Sequence, residues 1–434
     1  MFVRQEETKT HMVNKMMGIA WIAAIVAGMG LTASTARADK VTITVGDKDI
    51  PAGPMWFKPA KPLDPQQYYY LSGKDADLLV QIDKEDRVWW WQNKPLKAGQ
   101  TYTWELLVAG TGVNPEPGGL PARVRKAGDE QVDIKISGKP FTTLVFKKSD
   151  PKVYLYPVIG PTGEPMTRDF PMKDNPAEKE AKRQDHPHHR SLWCAHGDIR
   201  TEDMTKPGSN YWNEVKDAPI EKVPHQVLTK IVGQASGPVF GQVIAEIDWI
   251  NEKGEKDFSE QRSYMFLAGE DLRIIDVRSV FKFDQKDVTF GDTKEGGIVS
   301  VRTAITIDEK GGGKRYNSAG KSGEDTWGQP AEWCDYVGKV NDKVVGIAIM
   351  DHPKNYGHPT HWHIRDYGLY TANPFGLKDF TKDAAKDGSH TWKKGESVEF
   401  NYRILLHQGD TQAAGIADQW RLYSDPPKFT VTEK

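Results

Sequence analysis

The feature that most limits the fold of this chain is a succession of short β-branched and aromatic runs separated by Gly, Pro, Asp and Asn. Residues 41–45 and 131–136 alternate apolar and polar side chains with period two, as a strand with one buried face does. Residues 243–250 and 272–280 alternate with lapses, and helical periodicity is sparse. The pattern predicts an all-β protein, a large antiparallel β-sandwich with a small N-terminal β module.

Four further segments complete this expectation. Residues 344–350 and 399–406 fit strands that are buried more deeply than the alternating ones. The stretch 176–183 has room for a turn or two of helix, and 411–423 favours a C-terminal helix. No internal repeat is evident, so the sequence does not indicate a solenoid or a propeller.

The N-terminus has the features of an export signal. Lys15 is followed by an uncharged apolar stretch over residues 16–31, and residues 36–38 read Ala-Arg-Ala, a small-x-small cleavage site. About 16 apolar residues fall short of the roughly 20 that span a bilayer, so an uncleaved anchor is the less favoured alternative. We expect a signal peptide over 1–38 and a mature protein, beginning at Asp39, that is periplasmic or extracellular and has no membrane span.

The charge balance and the cysteine count exclude several classes of protein. The chain has 58 Lys and Arg against 60 Asp and Glu, and removal of the signal leaves 54 against 58. Because there is no basic excess, nucleic-acid binding is not expected. Cys194 and Cys334 are too few for a disulfide framework, and in an oxidising compartment pairing and two free thiols both fit the sequence. The oligomeric state is not indicated.

The chain divides at a Gly/Pro-rich region, residues 110–123, and a polar break, residues 147–152. We expect an N-terminal β-sandwich module over 39–147 and a catalytic or ligand-binding β-sandwich domain over 148–434. The module contains the run Trp89–Trp91, whose side chains must point to both faces of a strand. The run indicates either a contact between the domains or an aromatic platform for a sugar ring.

Eight of the 12 histidines occupy two short windows. The first window contains His186, His188, His189 and His196, and the second contains His352, His358, His361 and His363. Imidazole exchanges protons near neutral pH and is also a common metal ligand. We expect the two windows to meet at one end of the sandwich and to form the functional site.

Charged residues between the windows complement the histidines. Lys294 and Glu295 lie in a Gly-rich segment before Arg302, and residues 332–336 add two carboxylates beside aromatic residues. Acid/base groups, cations and aromatic walls together are what sugar chemistry needs. The predicted catalytic residues are His188, His189, His358, His363 and Glu295. The predicted substrate-binding residues are His186, Arg190, His196, Lys294, Arg302, His352, Asn355, Trp362, Arg365, Asp366 and Tyr367.

A metal site is the main alternative for the histidines. Both windows contain a His-x-His pair, a spacing that places two imidazoles on one face of a strand where they can chelate one ion. A proline inside each window favours loops, in which this alternation weakens. The preferred interpretation has no cofactor. The alternative is a divalent metal held by His186, His188, His361 and His363, with Asp185, Asp351 and Asp366 close by in sequence.

Several motifs, taken in order, resemble an exported bacterial family. They are Tyr154–Gly163, Asp185–Asp198, Gly291–Gly297 with Arg302, Asp351–Asn355 and His358–Leu369. Over roughly residues 150–410 they are similar to the family of unknown function often labelled "methane oxygenase PmoA-like". The resemblance implies a large galactose-mutarotase-like β-sandwich in which paired histidines and a carboxylate act on sugar oxygens. A particulate methane oxygenase subunit spans a membrane several times, so the label implies no such activity here.

The sequence thus supports three functional hypotheses. The first is an exported carbohydrate-active enzyme, a hydrolase, lyase or epimerase that acts on a sugar or glycoside by His/Glu acid-base catalysis. The second is a metal-dependent enzyme with a His-rich site. The third is a non-catalytic glycan-binding protein, for which the Trp89–Trp91 run is the main support.

Overall fold

A computed structural model describes residues 39–64, 67–110, 118–203, 205–215 and 217–433 of the chain. The signal peptide expected over 1–38 lies outside the described residues. The described residues are 46% strand and 8% helix, and their paired strands are antiparallel. The prediction of an all-β, sandwich-type protein is therefore confirmed.

Two eight-stranded sheets form the larger part of the molecule. The front sheet consists, in spatial order, of β23 (Trp362–Ile364), β24 (Leu369–Ala372), β19 (Gly296–Arg302), β12 (Leu192–His196), β11 (Tyr154–Leu155), β10 (Lys139–Val145), β9 (Gln131–Ile136) and β8 (Ala122–Lys126). The back sheet consists of β14 (His225–Ala235), β15 (Phe240–Ile250), β16 (Lys256–Ala268), β17 (Leu272–Lys282), β26 (Ser397–Gln408), β22 (Lys343–Asp351), β21 (Trp333–Val340) and β20 (Lys314–Asn317).

One apolar core fills the space between the two large sheets. Along β9 the side chains of Val132 and Ile134 point into it, and Phe266 and Ile275 of the back sheet belong to the same core. Since successive strand residues face opposite sides, the polar residues between them point outwards. Burial of these apolar side chains on both inner faces holds the sheets together.

The central strands of the back sheet are buried on both faces. On β22, Ile347 and Ile349 face the core between the sheets, whereas Ala348 and Met350 pack in a second cluster on the outer face. That outer face is covered by the N-terminal module and by a C-terminal helix that contributes Ile416. The double burial explains why the sequence of these strands is apolar with little alternation.

Three smaller sheets and three helices complete the described fold. The first small sheet has the order β27 (Thr430–Glu433), β1 (Asp39–Thr44), β7 (Thr101–Val108), β3 (Tyr69–Gly73) and β4 (Asp77–Leu79). The second is β2 (Gly53–Phe57), β6 (Val88–Gln92) and β5 (Gln81–Ile82), and the third is β13 (Ile199–Arg200), β18 (Val288–Phe290) and β25 (His390–Trp392). The helices are α1 (Pro176–Glu180), α2 (Leu377–Thr381) and α3 (Ile416–Ser424), with 3-10 turns at Ile220–Lys222, Glu309–Gly311 and Gly323–Thr326.

The Trp89–Trp91 run joins the N-terminal module to the large sandwich. Trp90 points into the core of the module, whereas Trp89 and Trp91 pack with Phe240 and Leu267 of the back sheet. All three indoles are at most 5% exposed. The run is therefore a contact between the two parts and leaves no aromatic platform for a sugar, which removes the main support for the glycan-binding hypothesis.

The strands do not separate at residue 147. Strands β8, β9 and β10 precede that position, yet β10 pairs with β11 and all three belong to the front sheet. At the other end of the chain, β27 pairs with β1 in the N-terminal module. The boundary expected between 147 and 148 therefore runs through a continuous sheet, because strand pairing places residues 122–145 with the larger part.

Both cysteines are buried and free. Burial raises the pKa of the Cys194 thiol and that of the Cys334 thiol. Among the described residues, no helix is both long and apolar enough to cross a membrane.

Candidate active site

Four neighbouring strands of the front sheet place a row of side chains on the face opposite the core. Trp193 on β12 pairs with Ser300 on β19, Ser300 pairs with Thr371 on β24, and Thr371 pairs with His363 on β23. Residues directly paired in antiparallel strands lie on the same face of a sheet. The hydroxyls of Ser300 and Thr371 are 2.7 Å apart. The register of the sheet therefore builds the floor of a site.

Arg302 extends this floor. It lies two residues beyond Ser300 on β19 and so points to the same face, with 1% of its surface exposed. One of its N–H groups donates to Nδ1 of His189 at 2.8 Å, and another donates to the Asp185 carboxylate at 2.6 Å. Its Cζ lies 4.6 Å from the centre of the Tyr367 ring, in cation–π contact. The guanidinium therefore fixes three site residues at once.

A second buried arginine fixes the loop of the first histidine window. Arg168 donates hydrogen bonds to the backbone carbonyls of Arg183 and His186 at 3.1 and 3.0 Å. It also donates to the Asp185 carboxylate at 2.6 Å. Burial raises the pKa of Asp185, but hydrogen bonding to His186 and the charges of Arg302 and Arg168 outweigh it and hold that pKa below its usual range. Asp185 is therefore a permanent anion that organises the loop.

Aromatic rings are stacked across the site. The Tyr367 ring lies 4.9 Å from that of His186, and His186 lies 4.9 Å from His189, with interplanar angles of 13° and 7°. His189 in turn lies 5.3 Å from Trp193 at 22°. Trp212 meets His189 edge-on at 5.6 Å. The stack brings both ends of the site, the loop before β12 and the turn between β23 and β24, into one packed unit.

Three imidazoles of the site are held neutral. Burial lowers the pKa of His189 well below its usual value, and its Nδ1 accepts a hydrogen bond from Arg302, so the proton resides on Nε2. Burial lowers the pKa of His188 to about 3 and that of His363 to about 3. His363 donates from Nδ1 to the Lys294 carbonyl at 2.9 Å, which leaves the lone pair of Nε2 as an acceptor.

Glu295 is the carboxylate of the site. It immediately precedes β19 and is half-buried, and its side chain makes no hydrogen bond to any described residue. Burial raises its pKa, although the charges of Lys294, His186 and Arg365 act in the opposite direction. A carboxylate with a raised pKa and free oxygens can both give and take a proton.

Two cations lie beside Glu295. The Arg365 guanidinium is exposed and its Cζ is 5.8 Å from the centre of the Tyr367 ring. Lys294 is half-buried, and its charge and that of Arg365 both act on His363. Within the described residues neither side chain forms a salt bridge. The site thus combines a proton-transfer group, neutral imidazoles and unpaired positive charge.

A site with this geometry occurs in a chain that matches a known protein family. Residues 131–421 match the family of unknown function DUF6807. The chain belongs to this family. No curated protein matches the chain. The DUF6807 match carries no oxygenase label, so the resemblance expected from the motifs extends only to a family without an assigned activity.

Solved structures that resemble the chain share little sequence with it. An alpha-mannosidase from Enterococcus faecalis V583 matches at 10% identity and a TM-score of 0.42, covering 92% of this chain and 46% of that protein. An alpha-galactosidase from Geobacillus stearothermophilus matches at 11% and 0.31, covering 67% and 40%. A heparan sulfate lyase from Pedobacter heparinus matches at 9% and 0.27, covering 73% and 38%. The chain spans less than half of the length of each.

All the site residues lie within the region that matches DUF6807. The histidines of the second window, however, lie in different places. Of these four, only His363 lies near the first window, because β23 belongs to the front sheet. His361 stacks on Phe380 of α2 at 5.9 Å. His358 lies next to Asp351 at the end of β22 in the back sheet, and the Asp351 carboxylate, 2.7 Å from Nδ1, raises the pKa of His358. The expectation that the two windows meet as a whole is therefore wrong.

His352 lies on the other side of the molecule. It lines a cleft of about 580 Å³ between the outer face of the back sheet and the N-terminal module, together with Trp56 and Tyr423. Asn355 donates to Asp351 and to a backbone carbonyl, and so fixes a loop of the back sheet. His352, Asn355 and His358 are thus predicted site residues that the DUF6807 fold keeps away from the front-sheet site.

Other predicted ligand-binding residues have internal partners. Trp362 is fully buried, and its Nε1 donates to a backbone carbonyl. Arg190 forms a paired hydrogen bond with the Glu214 carboxylate. His196 is 1% exposed and donates from Nε2 to the Gly291 carbonyl at 3.0 Å. These side chains pack behind or next to the front-sheet site and do not line it. Asp366 lies at its rim, 3.6 Å from Lys310.

The alternative metal set is not assembled. Among the described residues no group of three or more His, Cys, Asp or Glu side chains is placed to hold one ion. The rings of His186 and His188 are 5.6 Å apart and nearly perpendicular, and His361 lies against Phe380. His186, His188, His361 and His363 therefore do not form the chelate that the His-x-His spacing suggested.

Sequence reasoning missed several residues of the site. Arg168, Trp193, Trp212, Ser300 and Thr371 were not among the predicted site residues. Trp193 lies inside the first histidine window and Arg168 lies shortly before it, and that proximity was the available signal. Ser300 and Thr371 are ordinary strand residues, and only the register of β19 and β24 reveals them.

Proposed function

We propose that this protein is an exported carbohydrate-active enzyme in which Glu295 transfers protons to or from a sugar or glycoside bound on the front sheet. We also propose that the two large sheets form a sandwich of the galactose-mutarotase-like kind. The observation that carries the proposal is Glu295 itself. It is a half-buried carboxylate without a hydrogen-bond partner among the described residues, and its pKa is raised by burial.

Such a carboxylate is suited to general acid/base catalysis. A raised pKa makes the acid form of a carboxyl group easier to reach, while the ionised form still accepts a proton. His363 is 3% exposed and donates from Nδ1 to the Lys294 carbonyl, so it holds the segment that contains Glu295. His363 is therefore a positioning residue, and Glu295 carries the proton.

The first histidine window acts mainly as a positioning element in this proposal. His189 receives a hydrogen bond from Arg302 and is 1% exposed, so it holds Arg302 and does not reach substrate. His186 is half-buried, with 39% of its side chain exposed, and its charge acts on Glu295. His186 is therefore the imidazole of this window that can meet a sugar at the same time as Glu295.

The test is turnover by the mature chain and by Glu295→Gln. Soluble oligo- and polysaccharides are screened for new products by mass analysis, and the variant is compared on any substrate that is converted. Loss of a general acid/base lowers kcat by about 10²–10⁴-fold. Glu270→Gln is the matched control, since Glu270 is an exposed glutamate in the loop between β16 and β17. Equal kcat for wild type and Glu295→Gln would refute the role of Glu295.

Export is tested independently. The apolar segment 16–31 and the Ala-Arg-Ala sequence at 36–38 support cleavage after residue 38. Expression of the full chain in a Gram-negative host, followed by fractionation and N-terminal sequencing, is expected to give periplasmic or secreted protein that begins at Asp39. Protein that retains residues 1–38 in the membrane fraction would contradict export with cleavage.

A further inference from the structure

Three buried N–H groups beneath the site have no acceptor in the part of the chain that the structure describes. Nε of Arg302 and Nε1 of Trp193 and of Trp212 are buried and have no hydrogen-bond partner among the described residues. Each of these residues is at most 1% exposed. A buried side chain does not contact a bound ligand directly, so the donors of the site that can do so are the exposed Arg365 and the half-buried Lys294.

Positive charge is concentrated around one ring. The Cζ atoms of Arg302 and Arg365 and the Nζ atom of Lys310 lie 4.6, 5.8 and 5.9 Å from the centre of the Tyr367 ring. The ammonium of Lys294 is near enough to act on Glu295 and on His363. Arg302 and Lys310 are paired with Asp185 and Asp366, whereas Arg365 and Lys294 form no salt bridge within the described residues.

Two of the carboxylates nearby are paired with cations. Asp185 accepts hydrogen bonds from Arg168 and Arg302, and Asp366 lies 3.6 Å from Lys310. Asp379 accepts a hydrogen bond of 3.3 Å from the backbone N–H of Lys294. Among the described residues, the charged side chains near the site that form no salt bridge are therefore two cations, Lys294 and Arg365, and two carboxylates, Glu295 and Asp379, and the Asp379 charge helps to raise the pKa of Glu295, mainly raised by burial.

We propose that the substrate of this site is an anionic sugar, whose carboxylate or sulfate group is bound by Arg365 and Lys294. This inference rests on the proposed function, because it assigns a substrate class to the same site. A guanidinium group binds a carboxylate or sulfate through two parallel N–H···O bonds. An ammonium group adds a compact positive charge that can approach the anion from several directions.

The experiment measures binding by ligand-observed NMR to the mature chain. The probes are D-glucuronate and D-galacturonate for the carboxylate source, and a sulfated N-acetylglucosamine for the sulfate source. Glucose, galactose and N-acetylglucosamine are the neutral counterparts. We expect at least one anionic probe to bind more tightly than its neutral counterpart, and added salt to weaken that binding. The probe that binds identifies the source of the anion.

Variants then assign the binding to the two cations. Arg365→Gln and Lys294→Gln are each expected to lower the affinity for the anionic probe by roughly 10-fold, which corresponds to the loss of one charge-assisted hydrogen bond. The affinity for neutral probes is expected to stay the same. Lys314→Gln is the control, since Lys314 is an exposed lysine on β20. Equal binding of anionic and neutral probes, or no binding of any anionic probe, overturns the inference.

The outcomes separate this inference from the proposed function. If Glu295→Gln abolishes turnover of a neutral glycan and anionic glycans are not converted, the substrate class is wrong and the function stands. If anionic probes bind through Arg365 but no glycan is converted, the substrate class stands and the enzymatic function fails.

Discussion

Lowering the pH from about 7 to about 5 should destabilise the fold through buried imidazoles. Burial lowers the pKa of His363 to about 3 and that of His196 to about 4, against 6.5 for an ordinary histidine. Below 6.5 the unfolded chain binds protons that the folded chain does not, so stability is complete above that pH and is lost as the pH falls. Since one pKa unit corresponds to about 1.4 kcal/mol, each of these two histidines lowers the free energy of unfolding by about 2 kcal/mol at pH 5 relative to pH 7.

The contribution of one residue is measured as a difference between two proteins. His358 has a raised pKa and contributes with the opposite sign, so the total pH dependence mixes both effects. His363→Gln keeps a donor for the Lys294 carbonyl but cannot titrate. Urea denaturation at several pH values between 5 and 7 gives the free energy of unfolding of each protein. Wild type is expected to lose about 2 kcal/mol more than His363→Gln over this interval.

His225→Gln is the matched control, because it removes one histidine of the back sheet and leaves the front-sheet site unchanged. Parallel stability curves for wild type and His363→Gln would refute the reasoning, since they would mean that the imidazole binds its proton equally in the folded and unfolded chain. A steeper dependence in the variant would refute it as well.

Three further results are expected. Trp90→Ala should lower the free energy of unfolding by about 3–5 kcal/mol in chemical denaturation, because a fully buried indole of the N-terminal core is lost. Gly297→Ala should lower the melting temperature in calorimetry, since the added Cβ would collide with Oγ1 of Thr371; an unchanged value would contradict the close packing of β19 on β24. Cys194 and Cys334 should react with a thiol reagent only after denaturation, because both are buried and free; consumption of no reagent under denaturing conditions would instead indicate a disulfide.

The strands could be predicted because burial of one face, or of both, produces a recognisable pattern of apolar residues in the sequence. The run 131–136 alternates and is β9, and the apolar run 344–350 lies in β22, which is buried on both faces. The C-terminal helix was expected over 411–423 and begins later, at Ile416. The partner of a strand is not encoded locally, which is why β8–β10 were assigned to the N-terminal module although they pair into the front sheet.

The site could be predicted only in part, for a related reason. The sequence identified His186, Glu295, His363 and Tyr367 as chemistry-bearing residues, and the front sheet brings their elements together. It could not separate His358 from His363, five residues apart, although His358 lies in the loop after β22 and contacts Asp351 of the back sheet, whereas His363 lies in β23 of the front sheet. Sequence distance does not measure which sheet a residue joins, and the sheet decides which histidines can share a site.

The role of each histidine is decided by its partner. Burial and then the charge of Arg302 lower the pKa of His189 and keep it neutral, whereas the hydrogen bond to Asp351 raises the pKa of His358. His196 is predicted from its window to bind substrate, yet its Nδ1 would touch a Cβ at position 296, and its Nε2 donates to the Gly291 carbonyl. The imidazole thus occupies the space that a side chain at 296 would need, and it holds the other end of the segment that leads to Glu295.

The two glycines that follow Glu295 serve the same purpose. A Cβ at position 296 would collide with His196, and one at 297 would collide with Thr371. The absence of both side chains lets the first residues of β19 lie directly on β12 and β24. Glu295 is consequently held at the edge of the Trp193–His363 row by backbone packing, and its carboxylate needs no hydrogen bond to be positioned. That separation of positioning from bonding leaves the oxygens of Glu295 free for a substrate.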